Sequence, residues 1–164
     1  MSTNATTTLT VWSADRGALA AYRARVAGPE AVFSLEAAVP TGLALDAWDW
    51  ERATALWGCG RPELPGGALT DLGDRLVYQV DTPWAPPHTA FATLSAAFPG
   101  TVAHALTTCE TEYASTAWFA GGRTVDMRET ELDLPEEELD DWDGEWHLPA
   151  DWSFDVARAR ALLG

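Results

Sequence analysis

A chain of 164 residues, 47% hydrophobic and carrying a formal net charge of −15, is long enough to bury one core without disulfide or metal staples. No run approaches the ~18 apolar residues of a spanning helix, and the opening Ser2 to Thr8 lacks the basic and apolar regions of a secretory leader, so no membrane span and a cytoplasmic location are expected. The two cysteines, Cys59 and Cys109, are too few for a secreted disulfide scaffold, and a field this negative repels nucleic acid and favours basic protein partners.

Residues 7–13 alternate as a first strand with Leu9 and Val11 on one side. A helix is predicted from Asp15 to Ala27, with Leu19, Tyr22 and Val26 on one face and Gly28-Pro29 as its stop. Val32, Phe33, Leu35 and Val39 suggest a second extended segment, ended by Pro40. An insertion from Thr41 to Asp74 follows. Asp46 would cap a helix reaching Trp57, with Trp50, Thr54 and Trp57 along one side, and GCGRPELPGG reads as a loop.

The central stretch runs strand, turn, helix. Leu76, Tyr78 and Val80 alternate with Val77, Gln79 and Asp81; Thr82-Pro83-Trp84-Ala85 stops the strand; Pro86-Pro87 suits a helix start. Phe91, Leu94 and Phe98 then share a helical face before Pro99-Gly100, and residues 101–110 form a strand. Gly121-Gly122 predicts a hairpin joining Ser115–Ala120 to Arg123–Glu129, with Trp118 opposite Val125 and Thr116 opposite Met127. An acidic arm occupies residues 129–149, whose first nineteen residues hold ten carboxylates and no arginine or lysine. A last helix, Ser153 to Leu163, would be capped by Ser153, with Val156, Ala159 and Leu163 aligned.

These elements predict a single α+β domain, a βαββαβ sandwich with its helices on one sheet face. Val80-Asp81-Thr82-Pro83-Trp84-Ala85-Pro86-Pro87, with Leu94-Ser95 and Phe98-Pro99, resembles the Asp-Thr-Ala-Trp-Ser-Pro-Pro, Leu-Ser, Phe-Pro signature of the YubB-type ferredoxin-like domains carried by plasmids and phages. Trp57-Gly58, Glu110 and Phe119-Ala120-Gly121 are similar to further elements of that family, although Cys59-Gly60-Arg61 stands where the family has Thr-Lys-Trp. The resemblance implies a ferredoxin-like fold and, through its mobile-element setting, a role in defence or counter-defence. It implies no catalytic residues.

The chemistry-bearing residues are sparse. His88, His104 and His147 are scattered and no Cys-x-x-Cys occurs, so neither a metal nor another cofactor is expected. Cys59, between glycines and near Arg61, reads as a free loop cysteine and His88 as a satisfied histidine at a helix start, in preference to an exposed thiol of lowered pKa served by that histidine. Trp48, Trp57 and Trp84 flank the central unit, where they either pack the insertion on the sheet or line a surface. Trp142, Trp146 and Trp152 lie among carboxylates, where they would dock on the body or meet a basic partner.

The candidate binding residues are therefore Trp48, Trp57, Asp81, Trp84, His88 and Glu110 around the central unit, and Glu136, Glu137, Glu138, Asp140, Asp141 and Trp142 in the arm. The reading is a non-enzymatic binding or inhibitor protein whose partner is a protein, basic or itself nucleic-acid-binding. The alternatives are a small-molecule enzyme using a groove near Trp84, Asp81, His88 and Glu110, and an immunity protein that neutralises a basic toxin.

Overall fold

A computed structural model describes residues 3–110, 112–132, 135–139, 141–142 and 144–164, apart from the side chains of Glu136 and Leu139. Its elements are β1 (Asn4–Trp12), α1 (Arg16–Val26), α2 (Leu35–Ala38), α3 (Trp50–Trp57), β2 (Ala68–Asp71), β3 (Arg75–Pro83), α4 (His88–Ala97), β4 (Val102–Cys109), β5 (Tyr113–Ala120), β6 (Arg123–Glu131), α5 (Glu136–Leu139) and α6 (Val156–Leu163). The strands form one antiparallel sheet in the order β2-β3-β1-β4-β5-β6. The expected four-stranded ferredoxin-like order does not describe this six-stranded sheet.

The stretch around Val32–Val39 supplies no strand. Ser34 accepts a hydrogen bond from Ala37 N at 3.1 Å and caps the short α2, which buries Leu35 and Ala38. A serine competing for backbone donors favours a helix start over a ladder. The place beside β3 goes to β2, from the second half of the expected insertion. Asp71 Oδ1 accepts from Gly73 N at 2.9 Å, and Gly73 has φ 91°, which turns the chain tightly into β3.

Periodicity places α1 as expected: Leu19, Tyr22 and Val26 are buried, and Asp15 accepts from Gly17 N at 2.8 Å. In α3 the cap is Asp49, not Asp46, and the buried side is Ala53 and Trp57; Trp50 is 47% exposed. Phe33 meets Tyr78 and Phe91 edge-on at 5.3 and 5.8 Å, and Phe91 meets Phe119 at 5.5 Å. That aromatic chain ties the helices to one sheet face.

The other face is covered too, contrary to a one-sided sandwich. Phe154, Val156, Ala159 and Leu162 pack over Trp12, Val102 and Trp118. Asp155 rather than Ser153 caps α6, accepting from Ala157 N at 3.1 Å, and Leu163 is left at the surface. The hairpin pairs Trp118 with Val125 as expected, but Thr116 faces Arg128 instead of Met127. The reason is a bulge at Asp126, whose φ is 52°. The extra residue brings Arg128 to the face where it donates to Asp151 at 2.7 Å as well as to Asp126 at 2.9 and 3.1 Å.

Candidate functional site: an aromatic cleft between the acidic arm and the sheet

Strand alternation sends Leu76, Tyr78 and Val80 into the main core and Asp81 to the opposite face. Register then aligns three strands: Thr6 on β1 lies opposite Asp81 on β3 and opposite Thr108 on β4. These strand ends are held firmly. Trp84, at φ 68°, turns the chain out of β3; its N–H donates to Thr3 O at 2.8 Å, and its carbonyl accepts from Tyr113 Oη at 2.7 Å and Cys109 Sγ at 3.6 Å. Glu110, at φ 41°, turns the chain out of β4 and accepts from Asn4 N at 3.2 Å.

The acidic arm folds back over this end of the sheet. Asn4, Thr6, Asp81, Thr108 and Glu110 line the floor and side of a cavity of about 360 Å³, with Trp142, Gly144 and Trp146 across it. Gly144 has φ 82°, a conformation that favours glycine and lets the arm turn between the two rings. The rings meet edge-to-face at 5.6 Å, and Trp142 Nε1 donates to Glu145 O at 3.1 Å. The same two tryptophans also line a second cavity, of about 550 Å³, together with Thr130, Glu131 and Leu132 at the end of β6 and Glu138, Asp141, Glu145, His147 and Leu148 of the arm.

The electrostatics are one-sided. No arginine is among the residues lining either cavity, and the chain has no lysine. Arg128, on the same hairpin, is committed to Asp126 and Asp151. Asp81 Oδ1 is buried without a hydrogen-bond partner. Both cavities thus combine aromatic faces with carboxylates, a combination that attracts cations.

The expected site residues divide. Asp81, Glu110 and Trp142 come together in the smaller cavity, and Glu138 and Asp141 join Trp142 in the larger one. Glu137 is exposed on α5 and lines neither; Glu136 opens that helix, with its side chain outside the description, and Asp140 lies outside the described residues. Trp57 is fully buried and donates to Val39 O at 2.8 Å, while Trp48 donates to Gly60 O at 2.7 Å and packs on Trp57 at 5.8 Å. Both are packing residues. Trp84 is 54% exposed and lines neither cavity.

His88 stands apart from Asp81 and Glu110. Its ring packs on Phe119 at 5.4 Å, on the main-core face, and burial lowers its pKa to about 4. The groove expected near Trp84, Asp81, His88 and Glu110 is therefore not one cavity. Cys59 is not a surface thiol: it is buried, donates to Arg61 O at 3.4 Å, and burial pushes its pKa up to about 12. Among the described residues no group of three or more His, Cys, Asp or Glu is arranged to hold a metal ion.

Three site residues carry no local signal of their own. Thr6 and Thr108 are legible only through strand register, and Glu131 only through the arm's return past the end of β6. The spacing Trp142-x-x-x-Trp146 around Gly144 is a further sequence feature that marks the cleft, beside the carboxylates already singled out.

Among the described residues, no helix is long and apolar enough to cross a membrane. No protein-family model, curated protein or solved structure matches the chain.

Proposed function

We propose that the protein is a non-enzymatic binding protein whose arm-and-sheet cleft receives a basic segment of a partner protein. One observation carries this reading: Trp142 and Trp146 line two adjoining cavities that contain carboxylates and no arginine or lysine. A basic chain laid there would exchange hydration for ring faces and opposite charge. Basic segments are common in proteins that bind nucleic acid, so an inhibitor that competes with nucleic acid for such a partner, a basic toxin included, fits the chemistry.

The resemblance of Val80 to Pro87 to YubB-type domains supports a role of the mobile-element kind. The succession β1-α1-β2-β3-α4-β4, interrupted by α2 and α3 between α1 and β2, supports a ferredoxin-like unit elaborated by β5 and β6.

The test is calorimetric titration with a synthetic arginine-rich peptide at rising salt. Binding should weaken steadily with salt and be lost in a Trp142→Ala/Trp146→Ala double variant. No binding at low salt, or binding indifferent to both salt and the tryptophan pair, rejects the proposal.

A further inference from the structure

Resting on that reading, we infer that the smaller cavity is a guanidinium subsite: it takes the side chain of one arginine of the partner protein, with Asp81 as the charged acceptor at its floor. Asp81 is distinguished from the arm's carboxylates by its surroundings. It sits on β3, beyond the reach of β2 and flanked in register through Thr6 by Thr108, and its Oδ1 is buried with no donor among the described residues. Asp81 also borders a smaller cavity of about 260 Å³ beside Glu63, where its carbonyl accepts from Leu64 N at 2.8 Å. Strand alternation nonetheless puts its side chain on the face shared with Thr6.

A buried carboxylate oxygen lacking a donor is an incomplete hydrogen-bonding site, and a ligand that brings a donor completes it. The roof selects which donor. Trp142 and Trp146 offer aromatic surface, and a guanidinium is a flat cation that stacks on rings while its edge N–H groups reach a carboxylate. An ammonium is a compact and more strongly hydrated charge, and it cannot present a fork. The hydroxyls of Thr6 and Thr108 add acceptors for the remaining N–H groups, and Glu110 at the side adds a second negative charge. A cavity of about 360 Å³ holds one such side chain and excludes a helix or strand.

The experiment follows the indole N–H resonances of Trp142 and Trp146 in the full-length protein, assigned with Trp142→Phe and Trp146→Phe. The probes are the N-acetyl amides of arginine, lysine and the uncharged isostere citrulline. Arginine amide should shift both resonances saturably, lysine amide should bind about tenfold more weakly, and citrulline amide should leave them in place. In Asp81→Asn the arginine affinity should fall about tenfold or more.

Equal responses to arginine and citrulline, or unchanged arginine affinity in Asp81→Asn, overturn the subsite. The citrulline comparison uses the wild-type chain, so it stands even where the variant fails to fold. If the arginine-rich peptide binds with the expected salt dependence but arginine amide moves neither indole, the subsite fails and the binding role survives. If neither binds, both fail.

Discussion

His104 Nε2 donates to Thr116 Oγ1 across 2.8 Å, a direction fixed by Thr116, whose own proton goes to Trp152 O at 3.0 Å. A hydroxyl with its proton committed to a carbonyl can only accept from the imidazole. This relay stitches β4 and β5 to the segment preceding α6, in a pocket closed by Trp118 at 4.7 Å and Phe154 at 6.5 Å from the His104 ring. It anchors the chain just beyond the acidic arm.

The relay makes stability depend on pH. Burial, opposed by Trp152 O and helped by nearby Arg158, lowers the pKa of His104 to about 4; burial alone lowers that of His88 to about 4. An unfolded histidine titrates near the ordinary value of 6.5. Between those values the unfolded chain binds more protons, so stability is present above about pH 6.5 and is lost as pH falls toward 4. Each histidine withdraws up to about 3 kcal/mol over that window. Urea midpoints measured from pH 7 to 4 should fall less steeply in His104→Gln than in wild type; parallel curves would contradict the assignment.

Trp57 and Trp84 should respond differently to truncation. Trp57→Ala removes a fully buried ring and leaves Val39 O without its donor, so a loss of ~3–5 kcal/mol is expected. Trp84→Ala should cost under about 1 kcal/mol, since its ring is largely exposed. Trp84→Gly should exceed Trp84→Ala in stability by ~1 kcal/mol, because φ 68° favours glycine. Chemical denaturation of the three variants checks the order.

Both thiols should be inert in the folded protein. Cys59 and Cys109 are buried, and burial raises both pKa values. Iodoacetamide at pH 8 should modify neither in buffer and both in concentrated urea, as counted by intact mass. Rapid native labelling of Cys59 would restore the reactive-loop reading.

Neutralising the arm should spare the fold and weaken binding. Glu137, Glu138 and Asp141 are exposed, so a triple amide variant should melt at the wild-type temperature or slightly above it as like-charge repulsion falls. Its affinity for the arginine-rich peptide should drop about tenfold at low salt and converge with wild type at high salt. A loss that persists undiminished at high salt would mean the carboxylates act other than through charge.

Periodicity, caps and turn dipeptides by themselves determined α1, the faces of β3, the Gly121-Gly122 hairpin and the concentration of charge in the arm, because each depends on residues close in sequence. The second strand was misplaced because Val32–Val39 has strand-like composition, whereas burial of Leu35 and Ala38 and the Ser34 cap favour a helical turn there. The Thr116 register was missed because one left-handed residue, Asp126, shifts every later pair. Only the tertiary structure decided which carboxylates line a common cavity. Asp81, Glu110 and Trp142 came to line one cavity, and His88 was kept out of it, through strand register, the two faces of a sheet and the return of the arm. Those are relations between residues far apart in the chain, and no local pattern encodes them.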